Sequence, residues 1–150
     1  MKPSFQAWLW AALSLGVLAF IFGNSLQTAD ISSAASGSVV DWLAPILEHT
    51  ALDEQQTTFL IRKLAHFSEF ALLGLCLCGT AYGFALIRPV LCAACAGALA
   101  AGADEFIQRF VEGRSSQFTD VMLDTAGVLF GLCLYLLLRH IMRRAVRSAS

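Results

Sequence analysis

Four stretches of the chain are apolar and almost free of charge, with polar clusters between them. Lys, Arg, Asp and Glu are absent from Pro3 to Ala29, and within that run Phe5 to Gly23 is the first candidate span. The second, Phe70 to Ile87, extends backwards through Lys63, His66 and Glu69. Pro89 to Ala103 is the third and Thr125 to Leu138 the fourth. A helix needs roughly 20 mostly apolar residues to cross a hydrocarbon core ~30 Å thick. Pro89 suits the first turn of a helix and disfavours helix before it, so Arg88-Pro89 is a turn between spans. Asp53 with Gln56 three residues later has the pattern that starts a helix.

The pattern therefore predicts an all-α integral membrane protein, a bundle of four transmembrane helices. Composition strengthens this: 57% of the 150 residues are hydrophobic and 14% charged, with a mean hydropathy of +0.68. A soluble domain carries roughly 25% charged residues. These values exclude a disordered chain, a basic nucleic-acid-binding domain and a disulfide scaffold. The five Cys all fall within apolar spans and read as small buried hydrophobes, Cys92 and Cys95 included. No repeat, low-complexity tract or linker divides residues 1–150, which read as one domain.

Charge placement orients the bundle. Lys2, Arg88, Arg139, Arg143, Arg144 and Arg147 flank one set of span ends. The segment from Asn24 to Thr58 carries acids but no Lys or Arg. By the excess of Lys and Arg in cytoplasmic loops, both termini are expected in the cytoplasm, in a bacterial inner membrane. The first span also has features of a signal peptide, an alternative that sequence leaves open. In the first outer loop, Val39, Trp42, Leu43, Ile46 and Leu47 follow helical spacing, despite Pro45. This predicts a short interfacial helix on the outer leaflet.

The third and fourth spans are too short if they stop at their first acid, giving only ~21–22 Å at 1.5 Å per residue. Both must carry polar residues into the membrane zone. Counted from Arg88 and Arg139, Asp104 and Asp124 come at ~21–23 Å, Asp120 and Glu69 at ~27 Å, Gln108 at ~29 Å and His66 at ~32 Å. Three helices thus deliver ionisable groups to one outer layer, and such groups face a bundle interior or a wet cavity. Asp104 with Gln108, Glu105 with Arg109, and Asp120 with Asp124 share helix faces at i, i+4. The small-residue third span is expected at the centre, and Gly127 and Gly131 at a close helix contact within the chain.

These motifs resemble the VanZ-like family of small bacterial membrane proteins. Lys63-Leu-Ala-His66-Phe67-Ser-Glu69-Phe70 is similar to its K-x-x-H-F-x-E-Y pattern, with Phe70 in place of Tyr. Asp104-Glu105-Phe-Ile-Gln108-Arg-Phe110-Val-Glu-Gly113-Arg114 resembles D-E-x-x-Q-x-F-x-x-G-R. Asp120-Val121, Gly127 and Gly131 match D-V-x-x-N-x-x-G-x-x-x-G, with Asp124 where Asn is usual. The resemblance spans Lys63 to Gly131. It implies a cell-envelope setting and a link to antibiotic resistance of the glycopeptide, teicoplanin type, without a defined reaction.

Two classes of function follow. In one, the layer is an outward-facing pocket that binds or modifies an envelope amphiphile, such as a membrane lipid or lipid-linked cell-wall precursor, or binds a glycopeptide. His66 and Glu69 are then a candidate acid/base pair, with Asp104 and Glu105 as further catalytic candidates. Lys63, Gln108, Arg114, Asp120 and Asp124 are candidate substrate-binding residues. Arg114 is expected to use its planar fork on a phosphate or carboxylate. In the other, the protein is a non-enzymatic accessory or scaffold and the layer is an ion-pair network. A transporter fits less well, because the inner halves of the spans carry no ionisable group to relay charge. Asp104, Glu105 and Asp120 could orient His66, Glu69 and Arg114 or bind a metal, an oxygen-rich set suiting Mg²⁺ or Ca²⁺ and His66 admitting Zn²⁺. No strict ligand spacing is present, so no metal site is assigned, and the sequence names no cofactor, nucleic acid or oligomeric state.

Overall fold

The computed structural model describes residues 3–32, 34, 37–38, 53–114 and 117–148. Among them all regular structure is helical. Four helices are long and apolar enough to cross a membrane: α1 (Phe5–Ser25), α2 (Glu54–Gly83), α3 (Pro89–Gln108) and α4 (Phe118–Ser148). The predicted interfacial helix over Val39 to Leu47 lies outside the described residues.

Local chemistry sets the helix starts. The Ser4 hydroxyl accepts the Ala7 N–H at 3.3 Å and caps α1. Asp53 and Gln56 form a reciprocal capping box at the start of α2, at 2.7 Å and 3.4 Å, as their spacing predicts. Pro89 occupies the first turn of α3, where its missing N–H costs nothing. The ends differ more from expectation. α2 stops at Gly83 rather than running to Ile87, and its chain turns through Ala85, whose φ is 51°. α3 continues to Gln108 and α4 spans Phe118–Ser148, so both carry their acids inside the helix.

The helices alternate in direction. Ala7 of α1 lies against Gly83 at the end of α2, whereas Asn24 reaches Glu69. Ser14 and Thr80 share a hydrogen bond at 3.0 Å between these two helices. Ser25 meets Gln108 of α3, and Lys63 of α2 pairs with Asp120 of α4. Thus the end of α1, the first half of α2, the end of α3 and the start of α4 gather at one end of the bundle.

Each helix buries a narrow stripe. On α1 it is Ala7, Ser14 and Ile21, and on α4 it is Asp124, Gly127, Val128, Gly131 and Leu132. The core joins Ile21, Phe70, Leu73, Cys78, Ala93, Ala101, Val128 and Leu132. Large apolar side chains such as Trp8, Leu15, Leu99 and Phe130 point outward, as a lipid-facing surface requires. The α2–α4 interface is the most extensive, and α2 also packs widely on α1, so α2 holds the central position that the small residues of α3 led one to expect of α3. A Cβ added to Gly127 would lie 2.6 Å from the Phe67 carbonyl oxygen, and one on Gly131 would collide with the Ala71 carbonyl. This is the intrachain contact that the Gly127 and Gly131 spacing predicts. Of the cysteines, only Cys76 and Cys78 are buried, whereas Cys92, Cys95 and Cys133 are exposed on the bundle surface. Their apolar spans serve lipid contact as well as the core, so burial in the protein did not follow.

Candidate functional site

The polar end of the bundle is built from all four helices. Asp104, Glu105, Gln108 and Asp124 are buried there, and Asp104 is fully so. The Gln108 side-chain amide donates to Asp104 Oδ2 at 2.7 Å and to the buried Ser25 hydroxyl at 3.3 Å. Glu105 accepts the backbone N–H of Gln117 at 3.0 Å, which ties α3 to the start of α4. Lys63 and Asp120 form an ion pair across α2 and α4.

The two members of the candidate acid/base pair face different neighbours. Glu69 Oε1 accepts the Asn24 amide at 3.0 Å. His66 sits with Asp104 and Asp124, and one ligand-capable atom of each lies within 4.8 Å of the others. No hydrogen bond joins His66 to Glu69 among the described residues. They do share the wall of a cavity, with Asn24, Arg62 and Arg114. Three carboxylate oxygens, Glu69 Oε2, Asp104 Oδ1 and Asp124 Oδ1, are buried without a hydrogen-bond partner. Buried polar atoms are rarely left so, and each needs an explanation.

Counted from Arg88, His66 stood ~10 Å beyond Asp104, too far for this cluster. The discrepancy comes from the end of α2. Residues after Gly83 are a turn and add no helical rise. Counted from Gly83, His66 lies at ~26 Å, against ~23 Å for Asp104 and Asp124.

Arg114 lies in the α3–α4 hairpin, where Gly113 takes a φ of 75° that favours glycine. Its Nε donates to the Gln27 carbonyl at 3.1 Å and its Nη2 to the Asn24 carbonyl at 3.2 Å. The fork thus braces the turn at the C-terminal end of α1, where the Asn24 carbonyl also accepts the Gln27 N–H at 3.1 Å. Two backbone carbonyls therefore engage the fork that was expected on a phosphate or carboxylate. Burial and the adjacent Arg62 charge lower the basicity of Arg114, and Asp104, Glu105 and Glu69 oppose this. A guanidinium stays charged at any physiological pH.

A second cavity opens beside this network. Its empty space is about 580 Å³, the solvent at its mouth included. Phe59, Arg62, Lys63, His66, Arg114 and Asp124 are among the residues that line it. His66, Arg62 and Arg114 face both cavities and form the partition between them.

All nine candidate residues therefore come to one end of the bundle. Sequence reasoning missed Asn24, Ser25 and Arg62. Asn24 and Ser25 close the first span and look like ordinary interface residues. Arg62 has a stronger signal, standing four residues before His66 on the same helix face.

These features define a class: an integral membrane four-helix bundle with a buried polar layer at one end. A model of the VanZ/LLP1 family matches residues 10–139, and the chain belongs to that family. The match takes in α1, beyond the span of the motifs. No curated protein and no solved structure matches the chain.

Proposed function

We propose that this VanZ-family membrane protein receives the anionic headgroup of an envelope amphiphile in the cavity lined by Phe59, Arg62 and Lys63. The carrying observation is the pairing of chemistries at that cavity. Arg62 and Arg114 stand at its wall, while Phe59, Phe110 and Phe118 are exposed at the same end of the bundle. Guanidinium groups suit phosphate or carboxylate, and the aromatic surface suits the acyl boundary beside it. The Lys and Arg distribution supports an outward orientation, with both termini cytoplasmic in a bacterial inner membrane. A lipid-linked cell-wall precursor has the chemistry described, and its handling would connect the protein with glycopeptide resistance. Residues 1–150 act as one domain in this proposal.

If the protein transforms its ligand, His66 and Glu69 are the groups able to exchange protons at the cavity wall. A second reading is favoured by specific contacts. Arg114 on α1 carbonyls, Lys63 on Asp120 and Gln108 on Asp104 are also what a structural network needs. In that case the protein is a non-enzymatic accessory or scaffold.

The test compares lipid and precursor mass spectra from cells with the protein, without it, and with His66→Gln or Glu69→Gln. Both substitutions keep hydrogen bonding and remove titration. A changed headgroup that reverts in the variants at normal membrane abundance supports an enzyme. Unchanged spectra with an anionic amphiphile retained by the purified protein, and released by Arg62→Gln, support a binder. Unchanged spectra and no retained amphiphile defeat the proposal.

A further inference from the structure

The buried acids at the base of the polar layer have a geometry that hydrogen bonding alone does not account for. Asp104 is 0% exposed and Asp124 is 1% exposed, yet each has an Oδ1 without a partner. They sit on different helices, α3 and α4, and His66 of α2 completes a triplet within 4.8 Å. Two of the cavity's three Lys and Arg side chains are committed elsewhere. Lys63 is paired with Asp120, and Arg114 holds the Asn24 and Gln27 carbonyls.

We propose that His66, Asp104 and Asp124 bind a divalent first-row transition-metal ion. One imidazole and two carboxylates form a mixed nitrogen and oxygen donor set, which suits Zn²⁺ or Mn²⁺ better than Ca²⁺ or Mg²⁺. Zinc holds such donors at roughly 2.0–2.2 Å. Small side-chain rotations therefore draw the triplet onto one ion. The ion supplies the positive charge that two adjacent buried carboxylates lack and gives both orphaned oxygens a partner. The Gln108 amide on Asp104 Oδ2 would orient that ligand, and Ser25 would in turn hold Gln108. His66 and Asp124 also line the cavity beside Phe59 and Lys63, so a fourth position would face it. Three protein ligands with one open position is the arrangement of zinc sites that meet a ligand or water. The site does not depend on the amphiphile proposal, since it needs only the three side chains, and an ion on His66 would leave Glu69 as the proton-exchanging group at the cavity wall.

The experiment uses the intact protein in detergent micelles, stripped with a chelator and dialysed against Zn²⁺ or Mn²⁺. Metal content and thermal midpoint are then measured. The expected result is about one ion per chain for one of the two metals, with a raised midpoint, since a ligand that binds only the folded state stabilises it. Asp104→Asn and Asp124→Asn should each abolish stoichiometric binding. Should either variant fail to fold, Gln108→Leu supplies the independent reading: affinity weakened roughly 10–100-fold with saturation still at one ion. A wild-type protein that retains neither metal overturns the proposal. So does stoichiometric binding that persists in folded Asp104→Asn and Asp124→Asn, or an affinity unmoved in Gln108→Leu.

Discussion

At the residue scale, Arg114 is the side chain whose role changes most between sequence and structure. Its fork holds two carbonyls from one helix end, at 3.1 Å and 3.2 Å. A hydrogen bond from a charged group is worth about 1.5–3 kcal/mol, and lysine keeps the charge without the fork. Arg114→Lys should therefore lower the stability of the purified protein by about 1 kcal/mol and Arg114→Ala by about 2 kcal/mol. Thermal or denaturant unfolding in detergent measures both. A Lys variant as stable as wild type would release the guanidinium from this structural duty. The residues of the layer were legible because ionisable groups inside apolar spans are costly and so stand out. Asn24 and Ser25 were not, because an amide or hydroxyl at a span end costs little in sequence terms. What neither spacing nor depth could show is which acid meets His66, since that depends on how three helices rotate against one another.

At the scale of the element, glycines divide sharply by what lies opposite them. Gly127 and Gly131 let α4 touch the backbone of α2, whereas Gly16 and Gly102 have nothing within 4 Å of an added Cβ. Alanine at Gly131 must push two backbones apart, and overpacking of this kind costs roughly 1–3 kcal/mol or more. Gly131→Ala and Gly127→Ala should reduce membrane abundance and the unfolding midpoint. Gly16→Ala and Gly102→Ala should leave both unchanged or raise stability by roughly 0.5–1 kcal/mol, the helix-propensity gain. Equal losses at all four positions would mean that the α2–α4 contact is not the seam of the bundle. The helix starts were readable because Ser4, Asp53 and Pro89 act through local geometry. The end of α2 was not, because Phe84, Ala85, Leu86 and Ile87 are as apolar as the helix before them. An apolar turn at a membrane end has no composition that separates it from helix.

At the scale of the whole molecule, the direction of the bundle in the membrane decides which compartment the cavity serves. α4 has 31 residues and is ~46 Å long, against a hydrocarbon core of ~30 Å, so its basic end with Arg143, Arg144 and Arg147 emerges from the bilayer. Arg139 sits lower, its guanidinium carbon 3.6 Å from the centre of the Tyr82 ring, a cation–π contact at the end opposite the cavity. Lys and Arg near span ends favour the cytoplasmic side, which would leave the cavity facing outward. Single cysteines placed in a background lacking Cys76, Cys78, Cys92, Cys95 and Cys133 read this directly. Ser38→Cys and Glu112→Cys lie at exposed positions towards the cavity end, and Ser148→Cys lies at the basic end. A membrane-impermeant maleimide applied to intact cells should label the first two and should reach the third only after permeabilisation. The reverse pattern would place the cavity in the cytoplasm. It would remove the outer-leaflet precursor as a ligand, because that headgroup could no longer reach Arg62 or the partition formed with His66 and Arg114. The metal site would survive that reversal, because its three ligands lie within the bundle whichever way the bundle faces.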